Sequence, residues 1–254
     1  MNRKILFFRF ILGGREMYIE KLNVTTEEFQ NSVNISKTLI LPVGSYEQHS
    51  KFMPLGTDTI IATYIAKELE KRTQAISLFP IVYGVSEIHK SFSGTIYIKP
   101  RNFYMYVKDI VESLAKENVD NLLIINGHGA NWFAINKACE DCKNLYKHIQ
   151  VYQWWELIGE KYFKESETSH AGAQELSVLE YIDEKFVRLN KVENQKKNQD
   201  MEIILCDDIA KVTHNGVVGI ATSYDKRKGE EVCEDVINIF TEIINEWENE
   251  YGNT

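Results

Sequence analysis

The sequence predicts an α/β fold with a mostly parallel central sheet covered on both faces. Three observations carry this. Thr38–Gly44 and Asn121–Asn126 are short, strongly apolar runs of buried-strand character. The stretches between such runs are helix-like and long enough to cross over a parallel sheet. Polar, reactive residues follow the strands directly, where ligands gather in folds of this class.

The elements follow in order. Thr25 or Thr26, followed by Glu27-Glu28, marks a helix start. Thr38–Gly44 is a strand. Asp58–Arg72 is helical, with Ile61, Ile65 and Leu69 at i, i+4 and i+8. Asp58 opens that helix as its cap. Ile76–Phe79 is a short strand ended by Pro80. Arg101–Glu117 is helical, Asn121–Asn126 a strand, and Asn131–Leu145 a helix capped by Asn131. Ile149–Trp154 is a strand, and Gly172–Ile182 and Glu230–Trp247 are helices.

The 254 residues, 44% of them hydrophobic, suffice for one large core, and no linker, repeat or low-complexity tract divides them. The net charge of -8, with both signs interspersed, argues against a nucleic-acid groove. No run approaches the roughly 20 apolar residues of a membrane span. Cys139 and Cys142 form a C-x-x-C inside a helix-like stretch, and Cys206 and Cys233 give no second pair at zinc-ribbon spacing. Reduced thiols and a cytoplasmic setting are expected. Residues 1–16 begin faintly like a signal peptide, but Arg9 interrupts the apolar run Ile5-Leu6-Phe7-Phe8. Met17 is the expected start of a single domain, 17–254, with 1–16 as an upstream extension.

The chemistry concentrates in four segments. In the first, Glu47 and His49 stand two apart after the first strand, so extended geometry sends both to one face. Asp58 follows a short loop, and this carboxylate–imidazole–carboxylate set suits a first-row divalent ion. The second is Asn126-Gly127-His128-Gly129-Ala130-Asn131, where two glycines allow a tight turn and His128 projects from a strand end. The third is Ser169 to Ser177, with His170 near a helix start and Glu175 on the helix. The fourth, Ser86 to Ile96, reads as a pocket wall. Trp154 and Trp155 follow a strand and could form an apolar lid.

Together these stretches resemble the creatininase (creatinine amidohydrolase) family. The carriers are Leu41-Pro42-Val43-Gly44-Ser45-Tyr46-Glu47-Gln48-His49, Pro54-Leu55-Gly56-Thr57-Asp58 and Glu87-Ile88-His89 through Ser93-Gly94-Thr95-Ile96. Asn126 to Asn131, His170-Ala171-Gly172 with Glu175, and Asn215-Gly216-Val217-Val218-Gly219 complete them in family order. The resemblance implies a three-layer αβα sandwich and a metal-dependent hydrolase of non-peptide C–N bonds. Family members open cyclic amides, remove formyl groups or trim a modified peptide. Carried over by motif, Glu47, His49, Asp58 and His128 are metal ligands, with Asp58 bridging two ions. Glu175 lies at or beside the metals, and His170 near the substrate. His89, Ser93, Gly94, Thr95, Trp154 and Lys51 are expected on the substrate. A homo-oligomer, a hexamer built from dimers, is implied too. The chain departs from the family pattern at Ser50 (usually Gly), at Ala130 (a Glu ligand in creatinine-hydrolysing members) and at Leu176 (usually Thr). Creatinine itself is therefore doubtful as substrate, and an inward Lys51 would favour an anionic one.

The expected chemistry is hydrolysis of a cyclic amide or formamide in a small molecule. One or two divalent ions, zinc first with manganese or iron acceptable, would lower the pKa of water from about 15.7 toward roughly 7. His170 or Glu175 would give a proton to the departing nitrogen. Two other readings use the same residues: a peptidase that matures a small modified peptide, and a binding protein that has lost catalysis.

Overall fold

The computed structural model describes residues 19–196 and 207–250. The expected extension at 1–16 and Cys206 lie outside these residues. The helices are α1 (Ile19–Leu22), α2 (Thr26–Ile35), α3 (Thr57–Arg72), α4 (Pro100–Leu114), α5 (Trp132–Cys142), α6 (Glu165–Thr168), α7 (Ala173–Ile182) and α8 (Lys226–Asn249). The strands are β1 (Thr38–Val43), β2 (Ile76–Ser77), β3 (Asn121–Asn126) and β4 (His148–Gln153). Among the described residues they form one parallel sheet in the order β2-β1-β3-β4.

Side-chain alternation along the strands divides the core. Leu39, Leu41, Val43, Leu122 and Ile124 pack toward α4 and α5, with Phe103, Val107, Ile135 and Ala138. Ile40, Leu123 and Ile125 point the other way, onto Ile61, Ile65 and Leu69 of α3, Leu176 and Leu179 of α7, and Val236, Ile237 and Phe240 of α8. Two apolar layers on opposite faces of one sheet make the three-layer αβα sandwich. Each fully buried aliphatic side chain contributes about 1.5–3 kcal/mol of transfer free energy. Cys139 and Cys142 lie in one layer and Cys233 in the other, all three as free, buried thiols.

Several boundaries differ from the sequence expectation, each for a local reason. The Thr25 capping box holds as expected: its side chain accepts from the Glu28 amide, and Glu28 reaches back to the Thr25 amide. β2 is two residues rather than four. The Leu78 amide still donates to Ile40, but Pro80 has no N–H and breaks the ladder. β4 begins at His148, and Trp154 already belongs to a 3-10 turn. α4 starts with Pro100 in its first turn and passes at Ala115 into a 3-10 turn. α8 starts at Lys226, four residues before expected, with Asp225 accepting from the Arg227 amide at 2.9 Å. Gly229 sits inside the helix, where a Cβ would lie 2.1 Å from the Ser177 carbonyl of α7.

Two expected caps are not caps. α3 begins at Thr57 with Gly56 at its N-cap, and Asp58 lies in its first turn. Asn131 makes no side-chain cap on α5. Its Nδ2 donates to the Gly44 carbonyl at 2.9 Å and its Oδ1 accepts from the Val85 amide at 2.8 Å, tying three loops together. Among the described residues no helix is long and apolar enough to cross a membrane.

The register aligns Val43, Asn126 and Gln153 at the carboxyl edge of the sheet. The segments carrying Glu47, His128 and Trp154 all leave from that edge.

Candidate metal centre and its cavity

The first turn of α3 is wedged between the ends of β1 and β3. An added Cβ would lie 2.4 Å from the Thr59 Cα at Gly44, and 2.3 Å from the Asp58 carbonyl oxygen at Gly127. Only glycine allows the helix this close, and the approach delivers the Asp58 carboxylate to the space beyond both strands.

Five residues converge there. Asp58 Oδ1 is 3.0 Å from His49 Nε2, and Asp58 Oδ2 is 3.2 Å from His128 Nδ1. Glu47 Oε1 is 3.2 Å from His128 Nδ1. Glu175 Oε2 lies 3.8 Å from His49 Nε2 on the other side. Glu47 and His49 are fully buried, Asp58 is 2% exposed, and Glu175 keeps 15% of its side-chain surface. Glu47 is steadied by Ser45, whose hydroxyl donates to Oε2 at 2.9 Å.

The outer nitrogens of two histidines fix their tautomers. His49 Nδ1 lies 3.2 Å from the Glu47 carbonyl, and His128 Nε2 lies 2.9 Å from the Val85 carbonyl. A carbonyl only accepts, so these nitrogens carry protons, and in the neutral rings the inward His49 Nε2 and His128 Nδ1 offer lone pairs. Asn126 reinforces His128: its Nδ2 donates to the His128 carbonyl, and its Oδ1 accepts from the His128 amide.

Glu47 Oε1, His49 Nε2 and Asp58 Oδ2 are buried without a hydrogen-bond partner. Orphan atoms of this kind are costly unless something electropositive lies between them. Carboxylates with neutral imidazoles are the donor set of a first-row divalent ion, and the ligand atoms of Glu47, His49 and Asp58 lie within 4.8 Å of one another. The residues therefore fit the metal that the sequence implies. Asp58 turns one oxygen toward His49 and the other toward His128, so the same residues could hold one ion or two.

In the ion-free chain, protons stand in for the cation. Burial opposes charge on His49, but Asp58, Glu175 and Glu47 outweigh it and push the imidazole up to about 9. Burial opposes charge on Asp58 too, yet His49 and His128 hold its carboxyl down at about 2. Glu175 moves the other way: burial raises it to about 7, against the pull of His49. His170 is held well below the ordinary imidazole range by burial and by His89, His49 and His128. Near neutral pH, Glu175 is thus the group able to carry a transferable proton, while His170 is neutral.

A cavity of about 220 Å³ opens beside this cluster. Asp58, His128, His170 and Glu175 line its polar side, and Ile88, Ala130, Trp154, Trp155 and Ile209 its apolar side. His89 and Trp154 are among the lining residues. Thr95 acts from beneath: its hydroxyl accepts from the Gln48 amide at 3.1 Å. Ser93 and Gly94 are exposed on the outer surface and are not among the lining residues. Lys51 is 53% exposed and its ammonium is 2.9 Å from Glu193, so the expected inward charge is absent and an anionic substrate loses that support. Sequence reading missed Gln174, Thr168 and Ile209 in the lining. Only Gln174 carried a signal, one position before Glu175.

The model of the creatininase (creatinine amidohydrolase) family matches residues 22–244. A mycofactocin precursor peptide peptidase of Mycobacterium ulcerans is 28% identical over 83% of this chain and 85% of its own. A creatinine amidohydrolase of Pseudomonas putida is 24% identical over 82% of this chain and 88% of its own. Solved creatininases, one of Zn–Zn type and one with Mn, superimpose with TM-scores of 0.77 and 0.76. Both are 22% identical and cover 88% of this chain and 96% of their own, which shows a common fold. The chain belongs to the creatininase family, and with it to the metal-dependent hydrolases of carbon–nitrogen bonds.

Proposed function

We propose that this chain hydrolyses the C–N bond of a cyclic amide or formamide in a small molecule. The observation that carries the reading is the convergence of orphan Glu47 Oε1, His49 Nε2 and Asp58 Oδ2 on one space beside a cavity of about 220 Å³. Glu47, Asp58 and His128 would hold one ion, and His49, Asp58 and Glu175 a second, with Asp58 shared. Zinc suits this mixed set best, and manganese or iron are accepted by the same donors. When bound, such an ion activates water and polarises a carbonyl.

The protein supplies the rest. The Glu175 carboxylate, at the edge of the cluster and lining the cavity, would take the proton of the attacking water and return one to the departing nitrogen. His170 and His89 flank the space where the carbonyl would lie. Trp154, Trp155 and Ile88 exclude water around it. The volume suits a small planar amide better than a folded peptide.

A second reading, trimming of a modified peptide, is favoured by one observation: the peptidase of M. ulcerans spans as much of this chain as the creatinine amidohydrolase does. A panel of cyclic amides, formamides and short peptides, assayed on zinc-loaded enzyme, separates the two. Turnover of a non-peptide amide, stopped by chelator and restored by zinc, is expected. Turnover of peptides alone would replace the first reading with the second.

The same proposal includes a cytoplasmic enzyme, consistent with the free thiols of Cys139, Cys142 and Cys233. It also includes a homo-oligomer, a hexamer. Exposed Tyr46, Tyr83, Ile96 and Phe133 offer apolar surface for one, and sedimentation velocity decides it.

A further inference from the structure

Gln48 lies between two ligand candidates, Glu47 and His49, yet its own side chain turns elsewhere. Its Oε1 accepts from the Ser50 amide at 2.9 Å, which fixes the orientation of the amide group. Its Nε2 is 3.0 Å from the Gly216 carbonyl, 3.0 Å from His89 Nδ1 and 2.8 Å from His170 Nε2. Gly216 presses against it: with φ of 77°, it leaves no room for a side chain, since a Cβ would sit 1.9 Å from Gln48 Oε1. Gln48 is 3% exposed and has no space to flip.

An amide nitrogen donates and does not accept. Its two N–H groups meet three partners: the Gly216 carbonyl, which can only accept, takes one, and His89 Nδ1 and His170 Nε2 share the other, with no lone pair on Nε2 to receive a proton from either ring. A proton on either would set donor against donor in a buried site. The remaining protons then lie on His89 Nε2 and His170 Nδ1. These nitrogens face inward, 3.4 Å and 3.6 Å from Glu47 Oε1.

We propose that Gln48 is a positioning residue that sets the tautomers of His89 and His170, so that both present N–H groups, not lone pairs, to the reaction space. Although Glu47, His89 and His170 are close enough to be taken for a metal set, these two imidazoles then hold no metal. They are neutral hydrogen-bond donors, placed to bind a substrate carbonyl oxygen and the negative charge that grows on it. The catalytic meaning rests on the hydrolase reading; the tautomers do not.

The test is solid-state 15N NMR of the full chain labelled at its six histidines, metal-free and zinc-loaded. His89→Asn and His170→Asn variants identify the two rings. In both samples His89 should be protonated at Nε2 alone and His170 at Nδ1 alone. A proton on His89 Nδ1 or His170 Nε2, two protons on either ring, or loss of an inward proton on zinc loading would overturn the inference. In Gln48→Met, at least one ring should change or mix tautomers while zinc content holds; unchanged rings would remove Gln48 from the account. If that variant does not fold, the wild-type spectra still decide. Failure of zinc to bind at all would sink the hydrolase reading and leave the metal-free tautomers to be judged alone.

Discussion

Two pairs of histidines face the same few ångströms of space and are prepared for opposite tasks. His49 and His128 each lean outward on a backbone carbonyl, of Glu47 and of Val85. Their inner nitrogens face carboxylates, hold protons in the ion-free chain and, once these are displaced, offer lone pairs to a cation. His89 and His170 lean outward on the Gln48 amide. Their inner nitrogens carry protons and suit an oxygen. The ring chemistry is identical, and the outer partner sets the role. Both ligand histidines also share one partner, Asp58. A ligand must be held rigidly against a rigid partner, here Asp58 on the wedged turn of α3. A donor to substrate needs only a fixed direction.

The largest effect that could break this division comes from Asp58, which serves both ligand histidines. Asp58→Asn keeps the volume and removes the charge. Bound zinc should fall to less than about a tenth of wild type and activity should fall with it; a variant that keeps its zinc would show that Asp58 is peripheral. On the other side of the comparison, His170→Ala should lower kcat by about 10²–10³-fold, the usual cost of one such donor, with zinc unchanged. His170→Asn, which retains an N–H, should recover part of the loss. Zinc leaving with either substitution would move His170 into the ligand pair.

A smaller, graded effect is expected from pH. Zinc must displace the proton that His49 holds in the ion-free chain up to about pH 9. Zinc affinity should therefore rise by about tenfold per pH unit for each proton displaced, and level off near pH 9. The sign for ion-free stability is the reverse. The raised His49 stabilises the fold fully below the ordinary imidazole range, and that contribution is lost as pH rises through about 9. Calorimetry across pH 6 to 10, with and without zinc, reads both slopes. An affinity independent of pH would mean that His49 is not a ligand.

The smallest effect concerns the backbone that aims Gln48. Ser50 has φ of 59°, in the left-handed region, and a buried hydroxyl without a partner. Ser50→Gly should raise stability by up to about 1 kcal/mol in urea unfolding and leave zinc content unchanged. A loss of stability would show that the hydroxyl makes a contact of its own.

The sequence was most legible where local pattern and burial agree. The apolar runs at Thr38 and Asn121 became adjacent central strands, with His128 and Asp58 beyond their carboxyl edge. It was least legible where a side chain answers to distant loops. Asp58 and Asn131 are good capping residues by type, and Asn131 bonds Gly44 and Val85 instead because three loops meet there. Glu47 and His49 reach one space, as their two-residue spacing allows, while Gln48 between them turns to His89 and His170. Ser50 in the left-handed region turns the chain at once, so the extended pattern does not continue. Gly216, more than 160 residues later, completes the pocket for Gln48, and no local pattern announces it. Lys51 was misplaced because an exposed partner, Glu193, draws it outward.

The central claim is that the cluster around Asp58 is a metal centre, and elemental analysis of purified wild type and His128→Ala tests it most directly. The account predicts between one and two equivalents of divalent metal in the wild type and their loss in the variant. No metal in either protein, even after incubation with zinc or manganese, would contradict it.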